Sequence, residues 1–291
     1  MGPLDLVNLT PLMARTSGRI EIKIGLIDGP VALDHPDLAV QNIHQVPGKR
    51  SGVCSTASSL ACLHGTFVAG MLLAKRGSAA PAICPGCTLL VRPIFAETAP
   101  VNGDMPSAKP EELAQAIAET VNAGARVINL SAAVSQPSAN GERELEEALN
   151  YAARRNVIVV VAAGNQGTVG SSVITRHPWV IPVAACDIQG RIMAASNLGS
   201  SIGRHGLTAP GDNITSLAAN SKPQTFGGTS AAVPFVAGAI ALLWSEFPSA
   251  SAAQVKLAVT QPGGLRRRAI APPLLDAWAA FAAMSPTGRK Q

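Results

Sequence analysis

Val157 to Ala162 is an unbroken apolar run of strand-forming residues, and it follows directly on Glu142 to Arg155, whose charges and apolar residues are spaced as on a surface helix. A strand with no polar alternation has both faces covered, the condition of a central strand in a parallel sheet. The same succession recurs along the chain. Ile22 to Ile27, Leu89 to Phe95, Arg126 to Ser131 and Val180 to Ala185 read as further strands, and Pro110 to Ala123 as a helix with Leu113, Ile117 and Val121 on one face. Alternating strands and helices predict an α/β fold with a mostly parallel central sheet and helices on both faces. Helices over Ala252 to Val259 and Leu274 to Ala283 are expected to pack on the outside. With 47% hydrophobic and 14% charged residues, the 291-residue chain can fill a large aliphatic core, and one domain over residues 1–291 is expected. Residues 1–20 read as a short extension carrying a packing helix, Val7 to Arg15, with Leu9, Leu12 and Met13 as its apolar face.

In such a sheet, sites collect at the C-terminal ends of the strands. Asp28 ends the first strand and opens the turn Asp28-Gly29-Pro30. His64 stands at the mouth of a small-residue helix, His64-Gly65-Thr66-Phe67-Val68-Ala69-Gly70. Ser230 follows Gly227-Gly228-Thr229 where an almost wholly apolar helix begins and runs to Trp244, with Pro234 in its early turns. Taken singly, Thr229 or Ser230 is an ordinary helix cap. Together the three residue types form a nucleophilic relay: a hydroxyl that attacks, an imidazole that carries its proton, and a carboxylate that fixes the imidazole tautomer. His35, in the turn Ala32 to Leu38, reads as a turn residue and not as a second base.

The order Asp, His, Ser is that of subtilisin; chymotrypsin and the α/β-hydrolases run differently, and the elbow Gly-x-Ser-x-Gly is absent here, with Ala232 two residues after Ser230. On these three motif blocks the chain resembles a subtilisin-like serine protease from about Glu21 to Ala252. The resemblance implies the three-layer subtilisin-like fold and the triad Asp28, His64 and Ser230. One departure is local: the family usually follows its Asp with Thr or Ser and then Gly, whereas Gly29 and Pro30 stand here. Asn165, after Ala162-Ala163-Gly164, reads as a turn residue in isolation; beside the triad it reads as the side-chain donor of an oxyanion hole, opposite the Ser230 N–H. Asn129, Leu130, Ser131 and Ala132 match the segment on which the family pairs its substrate as an added strand, and with Ala162, Ala163 and Gly164 they are expected to frame the substrate pocket.

Net charge is +5, but the basic residues are scattered except for Arg266-Arg267-Arg268, and 3% aromatics supply no stacking platforms, so a nucleic-acid partner is not expected. No apolar run is read as reaching the roughly 18 residues of a membrane span, so no membrane partner is expected either. The N-terminus lacks the charged lead and uninterrupted apolar region of a signal peptide, and about twenty residues precede the first strand where secreted subtilases carry a folding prosegment; a cytoplasmic location is expected. Asp34, Asp37, Asp104, Asp187 and Asp212 form no dense oxygen-ligand run, so catalysis without a required metal or other cofactor is expected, with calcium not predicted.

Cys54, Cys62, Cys84 and Cys87 are read as two structural disulfides or reduced thiols beside His64; a zinc site is disfavoured by the seven residues between Cys54 and Cys62, and Cys186 is a core thiol. Within the subtilases, Leu9 to Met13, Gly25 to Val31, His64 to Gly70 and Cys84 to Phe95 resemble the proteases of cyanobactin biosynthesis. That narrower resemblance implies a peptide substrate, a ribosomally made precursor from which a leader is cut. The alternatives are a general intracellular subtilase, or an inactive subtilase fold that binds peptides, against which the complete triad speaks.

Overall fold

The computed structural model describes residues 2–38, 42–97, 108–131, 141–220, 222–261 and 269–285. Seven strands form one sheet: β1 (Lys23–Asp28), β2 (Ile43–Gln45), β3 (Thr88–Pro93), β4 (Val127–Leu130), β5 (Ile158–Ala162), β6 (Ile181–Cys186) and β7 (Leu207–Pro210). Their order is β2-β3-β1-β4-β5-β6-β7, and every pairing in it is parallel. The direction of winding reverses at β1, with β3 on one side and β4 on the other, and open parallel sheets place their sites past the strand ends at such a reversal. A separate antiparallel hairpin joins β8 (Ile214–Ser216) to β9 (Gln224–Phe226).

Side-chain alternation divides the core into two layers. Ile24, Leu26, Val127, Val160 and Val183 pack with α2 (Leu9–Arg15), α3 (Leu60–Leu73), α8 (Thr229–Glu246), α9 (Ala252–Thr260) and α10 (Ala277–Met284). Ile27, Ile128, Leu130, Val159 and Val161 pack with α4 (Pro110–Asn122) and α5 (Glu142–Arg154). The composition of the helices follows from this placement. Helices α4 and α5 present one face to solvent and are amphipathic, whereas α8 is buried at every residue from Ala231 to Ser245 and is apolar all round. By length and hydropathy α8 passes the test for a membrane span, which the sequence reading did not anticipate, but 89% of it lies inside the fold and it is a core helix.

The short elements α1 (Pro3–Leu6), α6 (Val173–Arg176) and α7 (Ser200–His205) complete the described chain. The expected Val7 to Arg15 helix begins later, because Asn8 sits at φ 52° and separates α1 from α2; Leu9, Leu12 and Met13 are buried as read. Strands β2, β7, β8 and β9 were not read, being three or four residues long and, for β7, ending in Pro210. Arg92 of β3 is fully buried, and its Nε donates to Glu119 of α4 at 2.5 Å. Ala132 and Arg266 to Arg268 lie outside the described residues.

Of the cysteines, Cys54 and Cys62 form a disulfide, while Cys84, Cys87 and Cys186 are buried thiols. The first pair therefore took the disulfide reading and the second the thiol reading. Burial pushes the Cys84 thiol well up, while a hydrogen bond from Cys84 holds Cys87 down.

Candidate active site

Asp28 is the last residue of β1 and shares the face of Ile24 and Leu26, which directs its side chain toward the α3 and α8 layer. It is fully buried, and its Oδ1 accepts the Gly29 N–H at 2.6 Å. His64 Nδ1 lies 2.8 Å from Asp28 Oδ1 and 3.0 Å from Oδ2, and its Nε2 lies 3.1 Å from Ser230 Oγ. The three residues read as a relay are thus linked in one chain of hydrogen bonds.

His64 does not stand at the mouth of its helix, as the sequence reading placed it. Helix α3 begins at Leu60, capped by Ser59, whose Oγ accepts the Cys62 N–H at 3.1 Å, so His64 projects from within the helix. The approach of α3 to the end of β1 depends on two glycines. A Cβ at Gly29 would overlap the Ala61 carbonyl of α3, and a Cβ at Gly65 would overlap the carbonyls of Gly29 and Pro30. Glycine at position 29 is therefore a packing requirement, and its backbone N–H serves the carboxylate. On the other side of the imidazole stands Phe226 of β9, edge-on with ring centroids 5.5 Å apart.

Ser230 is the second residue of α8, behind Gly228 at φ +95°. Asn165 follows β5 by way of Gly164, and its Oδ1 accepts both the N–H of Thr229 at 2.9 Å and the Thr229 hydroxyl at 3.0 Å. Thr229 Oγ1 in turn accepts the Gly164 N–H at 3.2 Å. The carboxamide oxygen is thereby tied to the backbone beside the serine, which leaves its NH2 as the free end. That NH2 makes no hydrogen bond among the described residues and lies next to Gly228, where an added Cβ would come within 2.9 Å of it. An amide donor and the start of a long helix converge beside one hydroxyl, an arrangement suited to a developing oxyanion.

The residues read as a substrate frame divide. Asn129 and Ser131 turn toward the serine: Asn129 Nδ2 donates to Ser131 Oγ at 2.7 Å, and Ser131 Oγ donates to the Ser230 carbonyl at 3.3 Å. Leu130 does not join them. Its side chain packs in the α4 and α5 layer, and its position in β4 pairs with Ile27 on one side and Val161 on the other, because strand alternation sends it to the opposite face. Ala162 and Ala163 are buried; Gly164 accepts the Asn197 N–H at 2.9 Å and so holds the loop that carries Asn165. His35 lies apart from the relay, buried in its turn, where its Nδ1 accepts the Asp37 N–H at 3.1 Å and burial lowers its pKa. Thr229 was missed as a functional residue. The signal for it, a hydroxyl directly before the serine, was read only as a possible cap.

The chain as a whole is similar to known proteins. The family model described as the Subtilase family matches residues 19–262. Subtilisin Savinase of Lederbergia lenta is 32% identical over 237 residues, covering 81% of this chain and 80% of that protein. Among solved structures, the Prenylagaramide maturation protease PagA aligns with a TM-score of 0.81 at 27% identity, covering 96% of this chain and 99% of that one. The Patellamide maturation protease PatA aligns with a TM-score of 0.73 at 29% identity, covering 91% of this chain and 97% of that one.

Proposed function

The chain belongs to the subtilase family, and from that membership we propose that it cleaves peptide bonds through an acyl-enzyme formed on Ser230. The observation that carries this reading is the continuous link from Asp28 through His64 to Ser230. In the proposed reaction Ser230 Oγ attacks the peptide carbonyl while His64 Nε2 takes its proton, and Asp28 keeps the imidazole oriented and stabilises it once charged. The tetrahedral oxyanion is received by the Ser230 N–H and the Asn165 NH2. His64 returns its proton to the departing amine, which leaves as the C–N bond breaks, and a water activated by the same imidazole then hydrolyses the ester. Asn165→Ala is expected to lower kcat by roughly 10²–10³, the usual loss for one oxyanion donor, with KM little changed. An unaltered kcat would return Asn165 to a turn role.

The substrate we propose is a ribosomally made precursor peptide from which a leader is removed. This reading is supported by the likeness to PagA and PatA, both described as maturation proteases. The peptide would lie extended past the end of β4, at Ser131, and beside the loop of Ala163 to Asn165. A disordered peptide is ordered only on binding, so slow turnover and a high KM are expected. Peptides spanning leader junctions, offered beside casein and mapped by mass spectrometry, should be cut at single positions while casein is largely spared; rapid, promiscuous casein digestion would reject the maturation role. We further propose that no metal takes part, since hydroxyl, imidazole and the two N–H donors account for every step. The same digest should then run unchanged in EDTA, and activity lost to EDTA and restored by calcium would contradict that. A cytoplasmic location follows from such a precursor, which is made there; the Cys54–Cys62 disulfide weighs the other way, and cell fractionation decides between them.

A further inference from the structure

Pro234 lies inside α8, four residues after Ser230. In an α-helix the carbonyl of residue i accepts the N–H of residue i+4, and proline has no N–H to give. The carbonyl that loses its helical donor is therefore the one belonging to the serine itself. Ser131 stands at that gap, its hydroxyl 3.3 Å from the Ser230 carbonyl oxygen.

The direction of this hydrogen bond is set from behind. Asn129 Nδ2 donates to Ser131 Oγ at 2.7 Å, so the hydroxyl accepts on that side and its single proton is directed at Ser230. Asn129 is fully buried, and its Oδ1 is one of the few buried side-chain polar atoms with no partner among the described residues. Among the described residues the amide's hydrogen bond is made through its NH2, toward Ser131. Residues 129 and 131 fall on the same face at the end of β4, two positions apart, as strand periodicity requires for both to reach α8.

We propose that Ser131, oriented by Asn129, is a positioning residue that replaces the hydrogen bond Pro234 withholds and so fixes the first turn of α8. Held in this way, Ser230 keeps its Oγ at His64 Nε2 and its N–H at the oxyanion. The proposal rests on Ser230 being the nucleophile, and its test separates the two. Ser131→Ala should lower kcat about tenfold, the scale of one carbonyl left without its donor, with KM within about twofold of the parent. Labelling of Ser230 by a fluorophosphonate should slow by the same factor. Ser131→Thr, which keeps the hydroxyl, should retain most of the rate, and Ser131→Cys, near in volume but a weak donor, should behave like alanine.

The decisive comparison is made in a Pro234→Ala background, which restores an N–H at the i+4 position. There the Ser131→Ala substitution should cost no more than about twofold, because the carbonyl has regained a partner. Full kcat in both Ser131→Ala and Ser131→Cys, or the same loss in both backgrounds, would overturn the positioning role of Ser131 while leaving Ser230 essential. Cleavage retained by Ser230→Ala would instead remove the premise, and the proposal with it.

Discussion

Ser230→Ala is expected to lower peptide cleavage on the order of 10⁶-fold in turnover, the size that loss of the nucleophile has in subtilisin itself, a relative of this chain. The size follows from the site. Among the described residues the Ser230 hydroxyl has one partner, His64 Nε2 at 3.1 Å, and that nitrogen has no other hydroxyl partner. With the hydroxyl gone, the oxyanion donors at Ser230 N–H and Asn165 remain, and they sustain only the modest acceleration over water that donors and binding give without a nucleophile. The substitution removes one partly exposed group that carries no packing, so the thermal midpoint should not move. A loss of only a few fold would mean that another group attacks.

The second large effect is expected from Asp28→Asn, about 10⁴-fold in kcat, again with the fold intact. The reason lies in the Gly29 N–H, which donates to Asp28 Oδ1 at 2.6 Å and demands an acceptor there. An asparagine would satisfy that demand with its oxygen at the Oδ1 position, which leaves its NH2 at the Oδ2 position, 3.0 Å from His64 Nδ1. The imidazole would then accept at Nδ1 and carry its proton at Nε2, the nitrogen that must take the proton from Ser230. Catalysis would fail through the wrong tautomer and not through lost structure. Should Asp28→Asn retain more than about a tenth of the parent rate, the carboxylate would not be acting on the imidazole in this way.

Asp28 and Ser230 were legible in the sequence because each lies at the end of an element, Asp28 where β1 meets a turn and Ser230 where a glycine loop meets α8; His64 was legible from its small-residue helix, although it stands within that helix and not at its mouth. The sheet was legible for a similar reason, since runs such as Val157 to Ala162 are long enough to declare two buried faces. The three-residue strands β2, β8 and β9 declare nothing. The β8 and β9 hairpin, which brings Phe226 beside His64, passed for loop.

Other features depended on contacts between distant segments. The start of α3 at Leu60 was hidden in a stretch rich in Ser and Cys, and only the Ser59 cap reveals it. The need for glycine at position 29 becomes visible once the Ala61 carbonyl is seen against it. Leu130 was assigned to the substrate frame with its neighbours, although strand alternation alone would have separated it from Asn129 and Ser131. The bond from Ser131 to the Ser230 carbonyl joins residues 99 positions apart, and Pro234 gives its meaning only after the helix is known to run through it.

The account stands most directly on Ser230 being an activated nucleophile. Incubation of the folded protein with a fluorophosphonate, followed by intact-mass measurement and peptide mapping, should give one adduct per chain, located on Ser230. That adduct should be absent from the His64→Ala variant and from protein denatured before exposure. A folded chain that takes up no label, or takes it on another residue, would contradict the account.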